Sequence, residues 1–561
     1  MWFKKVLGVF VTLGLVLAAC TGGGTTPSPS GSAADGSAAP TDGGDAEQLL
    51  RVDLGGEPPT LDPTQATDSQ SINVLRSITR PLAYFDEALE VVPGLAEDWE
   101  ISEDGQTITF NLKDGITYSD GTPITAEDFV YSWKRLIDPR EAAGYSYVMA
   151  DVVGGEDLLG VDTETATDED IDALLDAFGV SAPDESTFVV ELARPAAYFV
   201  YIATLWVTVP QQEGFEFGEA EGYLSSGPMQ MTEWQHQSRI VLEPNTEFTA
   251  GPAATIERIE MSMIQDPAAS LAAFEAGELD VAGVPTQEIP RIQDDPELST
   301  QVLQGDVLSI YYFGFDLKDP EGPFTQSVLL RQAFNKAVDK ETMIATTFAG
   351  LGTPAHSLVP PGMPGHLDTE FYPYDPEAAK ADFDSALSEL GVAAEDLTLE
   401  VGFNTDANHE DKVAFLQEQW RQAFGIEVTP VGLEWGAYLE RLGEDPFDIF
   451  RLGWGADYPH PNNFTTDLIS STSGNNNMGY ANPEVDTLLQ EAAVLPTLEE
   501  QVPLYDQVQE LVMADAPIIP LRFASRFTLV KPWVQNLVAT AQDSATGELF
   551  YDQVTIAAHD E

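Results

Sequence analysis

The chain has 561 residues, 43% hydrophobic and 10% aromatic, enough to bury a sizeable core, so global disorder is excluded. Lys and Arg number 25 against 93 Asp and Glu, a formal net charge of −68. Such a chain repels phosphate backbones and anionic headgroups, which argues against a nucleic-acid or charge-driven membrane partner, and its single cysteine permits neither an intrachain disulfide nor a multi-cysteine zinc site.

Lys4 and Lys5 precede fourteen apolar or small residues, Val6 to Ala19, with no charge. The pattern predicts a secretory signal peptide over 1–19, because a membrane span needs about 20 apolar residues. The run ends Leu17-Ala18-Ala19-Cys20, which resembles a bacterial lipobox. That resemblance implies cleavage before Cys20 and lipidation of its thiol, hence an extracytoplasmic, membrane-anchored protein at the cell surface or in the periplasm. Residues 20–47 are Gly, Ser, Thr, Ala, Pro and Asp with almost nothing large, the composition of a flexible tether.

Residues 50–54 alternate as a short strand, and Asp68 or Ser69 caps a helix reaching to about residue 82. Alternation on both sides of Asp104-Gly105 predicts a hairpin over 99–113. Thr125, with Asp128 three residues on, reads as a capping box opening a helix to about Leu136. Strands follow at 187–192, 240–243 and 256–263. From Pro267 helices and strands alternate: helices at 268–276, 328–349, 411–424 and 498–514, strands at 426–431 and 447–452. This texture predicts α/β lobes with mostly parallel strands.

The motifs of serine hydrolases, zincins and phosphate-binding loops are absent, and the six histidines (236, 356, 366, 409, 460, 559) have no metal-ligand spacing. The sequence therefore points to a non-enzyme, with no catalytic residue, cofactor or metal. Its acids are spread along the whole chain, densest at 163–176, which predicts an expanded surface loop there and a halophilic protein whose self-repulsion salt relieves.

Three runs follow one another closely: Pro93-Gly-Leu-Ala-Glu-Asp-Trp99, Asp104-Gly-Gln-Thr-Ile-Thr-Phe-Asn-Leu112 and Ser119-Asp-Gly-Thr-Pro-Ile-Thr-Ala-Glu-Asp-Phe129. Later come Leu329-Leu-Arg-Gln-Ala-Phe-Asn-Lys-Ala-Val-Asp-Lys340, Arg451-Leu-Gly-Trp-Gly-Ala-Asp-Tyr-Pro459 and Pro461-Asn-Asn-Phe464. In order and spacing they resemble the family 5 extracellular solute-binding proteins, the oligopeptide- and dipeptide-binding lipoproteins of bacterial ABC importers. The resemblance implies a two-lobed periplasmic-binding-protein-like α/β fold of class II with an extra domain. It places lobe I at 48–79, 208–306 and 521–561, the extra domain at 80–207 and lobe II at 307–520, with hinge crossings near Val307 and Leu521.

The same resemblance implies an oligopeptide ligand delivered to a permease and ATPase complex, with the protein acting as a monomer. It gives Asp457 to the ligand's ammonium, and Arg451 and His409, with Asn404 nearby, to its carboxylate. Trp454 and Tyr458 would line side-chain pockets, and Gly453, Gly455, Thr67 and Ser69 would offer backbone groups. Met229 stands where relatives commonly carry an aromatic, which predicts an altered pocket there. A non-peptide ligand (oligosaccharide, nickel chelate or haem) and a sensory or adhesive surface lipoprotein stay open at this point.

Overall fold

A computed structural model describes residues 47–196, 198–405, 409–542 and 548–559. The expected signal peptide, Cys20 and the tether up to residue 46 lie outside them. Among the described residues no helix is long and apolar enough to cross a membrane.

In chain order, β1 (Leu49–Asp53) leads to α1 (Ser69–Ile78), whose cap is Asp68: its carboxylate accepts from the Ser71 amide. Strands β2 (Ala96–Ile101) and β3 (Thr107–Leu112) form the hairpin read from the sequence, with Gly105 in the left-handed region the turn requires. Helix α2 (Ala126–Ile137) opens on the expected capping box of Thr125 and Asp128. It drops Phe129, Trp133 and Leu136 onto Phe110 and Phe188, Trp133 meeting Phe188 edge-on at 4.9 Å, a burial worth about 3–5 kcal/mol against Ala at that tryptophan. The acidic stretch at 163–176 is not simply a loop. Thr167 and Asp170 form a capping box for α3 (Asp168–Asp176), where three acids in the first turn suit the helix N-terminus. Strands β4 (Val180–Asp184) and β5 (Thr187–Glu191) complete a four-stranded antiparallel sheet of order β2-β3-β5-β4.

Nine further strands join β1 in the main path of a large sheet. They are β6 (Met229–Gln235), β7 (Arg239–Pro244), β8 (Arg258–Ser262), β9 (Val281–Gly283), β10 (Val302–Phe315), β11 (Leu399–Asn404), β12 (Val428–Leu433), β13 (Ile449–Gly455) and β14 (Ile518–Val530). Their order is β12-β11-β13-β10-β14-β9-β1-β8-β7-β6. The mostly parallel order expected is corrected. Only the β1 pairs with β8 and β9 and the β11 pairs with β12 and β13 are parallel. The two longest strands, β10 and β14, run antiparallel to each other, and β13 runs antiparallel to β10. Long strands that carry the chain from one half to the other and back must point in opposite directions.

The run Leu308 to Phe315 shows why β10 sits mid-sheet. Tyr311, Phe313 and Phe315 face one apolar cluster while Leu308, Ile310 and Tyr312 face another, so both faces are covered. The β10–β14 ladder slips twice, between Asp306 and Ile310 and between Tyr311 and Tyr312. The expected single helix over 328–349 is corrected as well. It is two helices, α4 (Val328–Lys336) and α5 (Lys340–Thr347), because the Asp339 side chain accepts from Thr342 and starts a new helix. Further on lie α6 (His409–Phe424), α7 (Trp435–Glu444), α8 (Asn462–Ile469) and α9 (Leu498–Asp515).

Candidate ligand-binding site

Asp457 lies just past the end of β13, on the turn into α8. Its carboxylate accepts hydrogen bonds from Tyr145 Oη at 3.1 Å, Tyr147 Oη at 3.4 Å and Asn463 Nδ2 at 3.1 Å. All three donors are neutral. Burial raises the Asp457 carboxyl above its ordinary value, against the pull of Asn463, the two tyrosines and, at longer range, Arg76. Asn463 is the hub of this end. Its amide nitrogen also donates to Asp467 at 2.8 Å, while its carbonyl accepts from Trp454 Nε1 and the Asp457 amide, both at 3.0 Å. Asp467, buried behind it, is pushed up to about 7 by desolvation and then by the charge of Asp457. Asp457 lines a cavity of about 40 Å³ together with Arg76, Arg80, Tyr84, Phe85 and Trp206.

A second cavity, about 290 Å³, lies at the other side of the β13 end. Its walls include Tyr311, Trp435, Arg451, Gly453, Trp454 and Arg522. Arg451 stacks over the Tyr311 ring at 4.8 Å and donates to Asn404 Oδ1 at 3.2 Å. Arg522 sits 4.3 Å over Phe348, and burial lowers its guanidinium to about 10. Lys412 also faces Phe348, at 5.0 Å. His409 bonds Tyr311 Oη through Nδ1 at 3.0 Å, and burial, then Arg451 and Lys412, hold it down to about 3, so it is a neutral imidazole at this end. A Cβ on Gly453 would come within 3.5 Å of the Arg451 guanidinium and 3.2 Å of the Ile310 carbonyl; glycine keeps this wall open.

Of the residues expected from the sequence, Asp457 stands at one cavity, and Arg451, Trp454, Gly453 and Gly455 line the other, with His409 and Asn404 behind Arg451 and Tyr311. Tyr458 does not join them. It is buried, packs against Tyr201 and donates to Asp467, so it lines neither cavity. Thr67 and Ser69 are exposed at the start of α1 and line neither cavity; their neighbour Ala66 accepts from Trp206 Nε1. Met229 is fully buried in the core and lines neither cavity. Sequence reasoning missed Tyr145, Tyr147, Asn463, Arg76, Arg80 and Arg522. The usable signal was the scarcity of cations: a chain so acidic has few arginines to place.

The two cavities together hold an acid whose hydrogen-bond donors are all neutral and arginines that form no salt bridge among the described residues. Among the described residues no three His, Cys, Asp or Glu side chains form a metal-ligand set. Residues 90–476 match the sequence pattern of the bacterial extracellular solute-binding proteins, family 5 Middle. The chain belongs to this family.

Family 5 relatives match it almost end to end. The oligopeptide-binding protein OppA of Bacillus subtilis is 29% identical, covering 98% of each chain. The periplasmic murein peptide-binding protein MppA of Escherichia coli is 28% identical, over 88% of this chain and 91% of its own. The Escherichia coli MppA structure superposes with a TM-score of 0.75 at 26% identity, over 91% of this chain and 99% of that one. Haemophilus influenzae OppA in complex with the peptide RPPGFSPFR gives 0.73 at 25% identity, with the same coverage. The two-lobed solute-binding fold and the solute-binding class expected from the sequence are thus those of its family.

Proposed function

We propose that this family 5 protein captures oligopeptides and delivers them to the permease of an ABC importer. The observation that carries this reading is the placement of opposite charges at the two sides of one strand end, Asp457 with neutral donors and Arg451 with Arg522 against aromatic faces. A peptide supplies the matching ammonium and carboxylate on an extended backbone that glycines can approach. Two charges of opposite sign are more than an oligosaccharide would use. The names of the relatives support the same class.

The proposed division keeps lobe I at 48–79, 208–306 and 521–561, the extra domain at 80–207 and lobe II at 307–520. The separate four-stranded sheet within 96–191 supports it, as do the two ladder slips near Val307 and Leu521, where a bend would need little rearrangement. The lipid anchor at Cys20, action as a monomer and adaptation to salt belong to the same proposal.

The test compares free-amine and N-acetylated forms of one peptide by calorimetry. Asp457→Ala is expected to weaken the free-amine peptide about 10- to 100-fold, the worth of a charge-assisted hydrogen bond, and the acetylated one only a few-fold. Equal losses would remove Asp457 from amine recognition.

A further inference from the structure

The protein's cations are few, and how they are spent is informative. Nine of its fifteen arginines form a salt bridge with a carboxylate among the described residues. Arg331 and Arg526 donate to main-chain carbonyls. The remaining four are Arg76, Arg80, Arg451 and Arg522, and each lines one of the two cavities of the site. Arg80, Arg451 and Arg522 each keep a buried Nε with no hydrogen-bond partner. In a chain with 93 carboxylates, four arginines without a carboxylate within 4 Å among the described residues line this one site.

Arg451 and Arg522 answer to the carboxylate of a peptide. Arg76 and Arg80 do not, because they sit at the other side, beside the acid. Arg80 lies 4.3 Å over the Tyr84 ring and 5.7 Å from Phe248, held by aromatic faces, with Asp552 its one favourable acid at longer range. Once a ligand's ammonium meets Asp457, those two charges cancel and the two arginines remain. The cavity they share with Asp457 has about 40 Å³, room for a small polar group.

We infer that Arg76 and Arg80 form a subsite for an acidic side chain on the first or second residue of the ligand, so that the protein prefers acidic peptides. The inference rests on the peptide reading and narrows it. The fork of a guanidinium pairs with a carboxylate and has no such partner in an amide. The selectivity therefore separates Asp from Asn and Glu from Gln, which match in shape.

The test measures affinities of the full chain for Asp-Ala-Ala-Ala against Asn-Ala-Ala-Ala, and for Ala-Glu-Ala-Ala against Ala-Gln-Ala-Ala. In at least one pair the acid is expected to bind about tenfold tighter or more. That ratio should fall toward one in Arg76→Gln and Arg80→Gln and largely return in Arg80→Lys, with melting curves showing each variant folded. Equal affinities within both pairs would overturn the subsite and leave peptide binding standing, as would a ratio unchanged in both glutamine variants. Binding of none of the four peptides by the folded protein would remove the peptide reading and this inference with it. Should Arg80→Gln fail to fold, the wild-type ratios and Arg76→Gln decide.

Discussion

The two sides of the site keep their charge by the same device and differ in where their parts come from. Around Asp457 the carboxylate comes from the turn after β13, whereas Tyr145, Tyr147, Trp206, Arg76 and Arg80 come from the first 210 residues. Around Arg451 every wall comes from residues 309–524. On both sides the direct partners are neutral, phenols and an amide for the acid, aromatic rings and an amide for the guanidinium groups. A direct salt bridge would spend the charge before a ligand arrived. The difference teaches which contact reports on closure. A cation at Asp457 touches a junction between segments 312 residues apart, while an anion at Arg451 and Arg522 touches segments that all lie within 309–524.

The largest expected effect tests what lies behind the acid side. Asp467 holds its proton up to about pH 7 in the folded protein, whereas an unfolded Asp loses it near 3.9. Between those values the folded state binds more protons, so this group lowers stability as pH rises, by roughly 4 kcal/mol across the window. Asp467→Asn is expected to shrink the fall in Tm between pH 4 and pH 8; an unchanged slope would break the account of the buried acid pair. The cationic side titrates the other way. His409, held to about 3, binds fewer protons folded than unfolded between that value and about 6.5, so its contribution to stability is lost as pH falls. His409→Gln should flatten the acid limb of the Tm curve and leave the alkaline limb alone.

Next in size is the double variant Arg451→Gln with Arg522→Gln. It is expected to weaken a free-carboxylate peptide about 100-fold while changing its C-terminal amide by a few-fold, measured by calorimetry. If both peptides weaken alike, the second cavity is structural. The smallest effect belongs to the junction. Tyr145→Phe removes one hydrogen bond to Asp457 and should cost about 0.5–1.5 kcal/mol of affinity, seen as a few-fold faster dissociation of free-amine peptides. Dissociation unchanged for those peptides would mean that the junction does not report closure.

Local chemistry made much of this protein legible as sequence. The caps at Asp68 and Thr125, the Asp104-Gly105 hairpin and the order of the family motifs depend on neighbours a few residues apart, and all stand where they were read. Asp457 and Arg451 were legible because they sit in one short motif. Distance along the chain hid the rest. Tyr145 and Asp457 are 312 residues apart, and nothing near Tyr145 announces its partner. Tyr458 carries the same motif as Asp457 yet turns into the core, because successive residues leave a strand end in different directions. A periodic pattern over 328–349 could not show that Asp339 would cap a second helix. The strand directions, and the gathering of four arginines around two cavities, were likewise decided only when β10 and β14 carried the chain across and back. Sequence fixes which side chains can bear charge; whether that charge is spent on a surface partner or kept for a ligand depends on which distant segments fold against it.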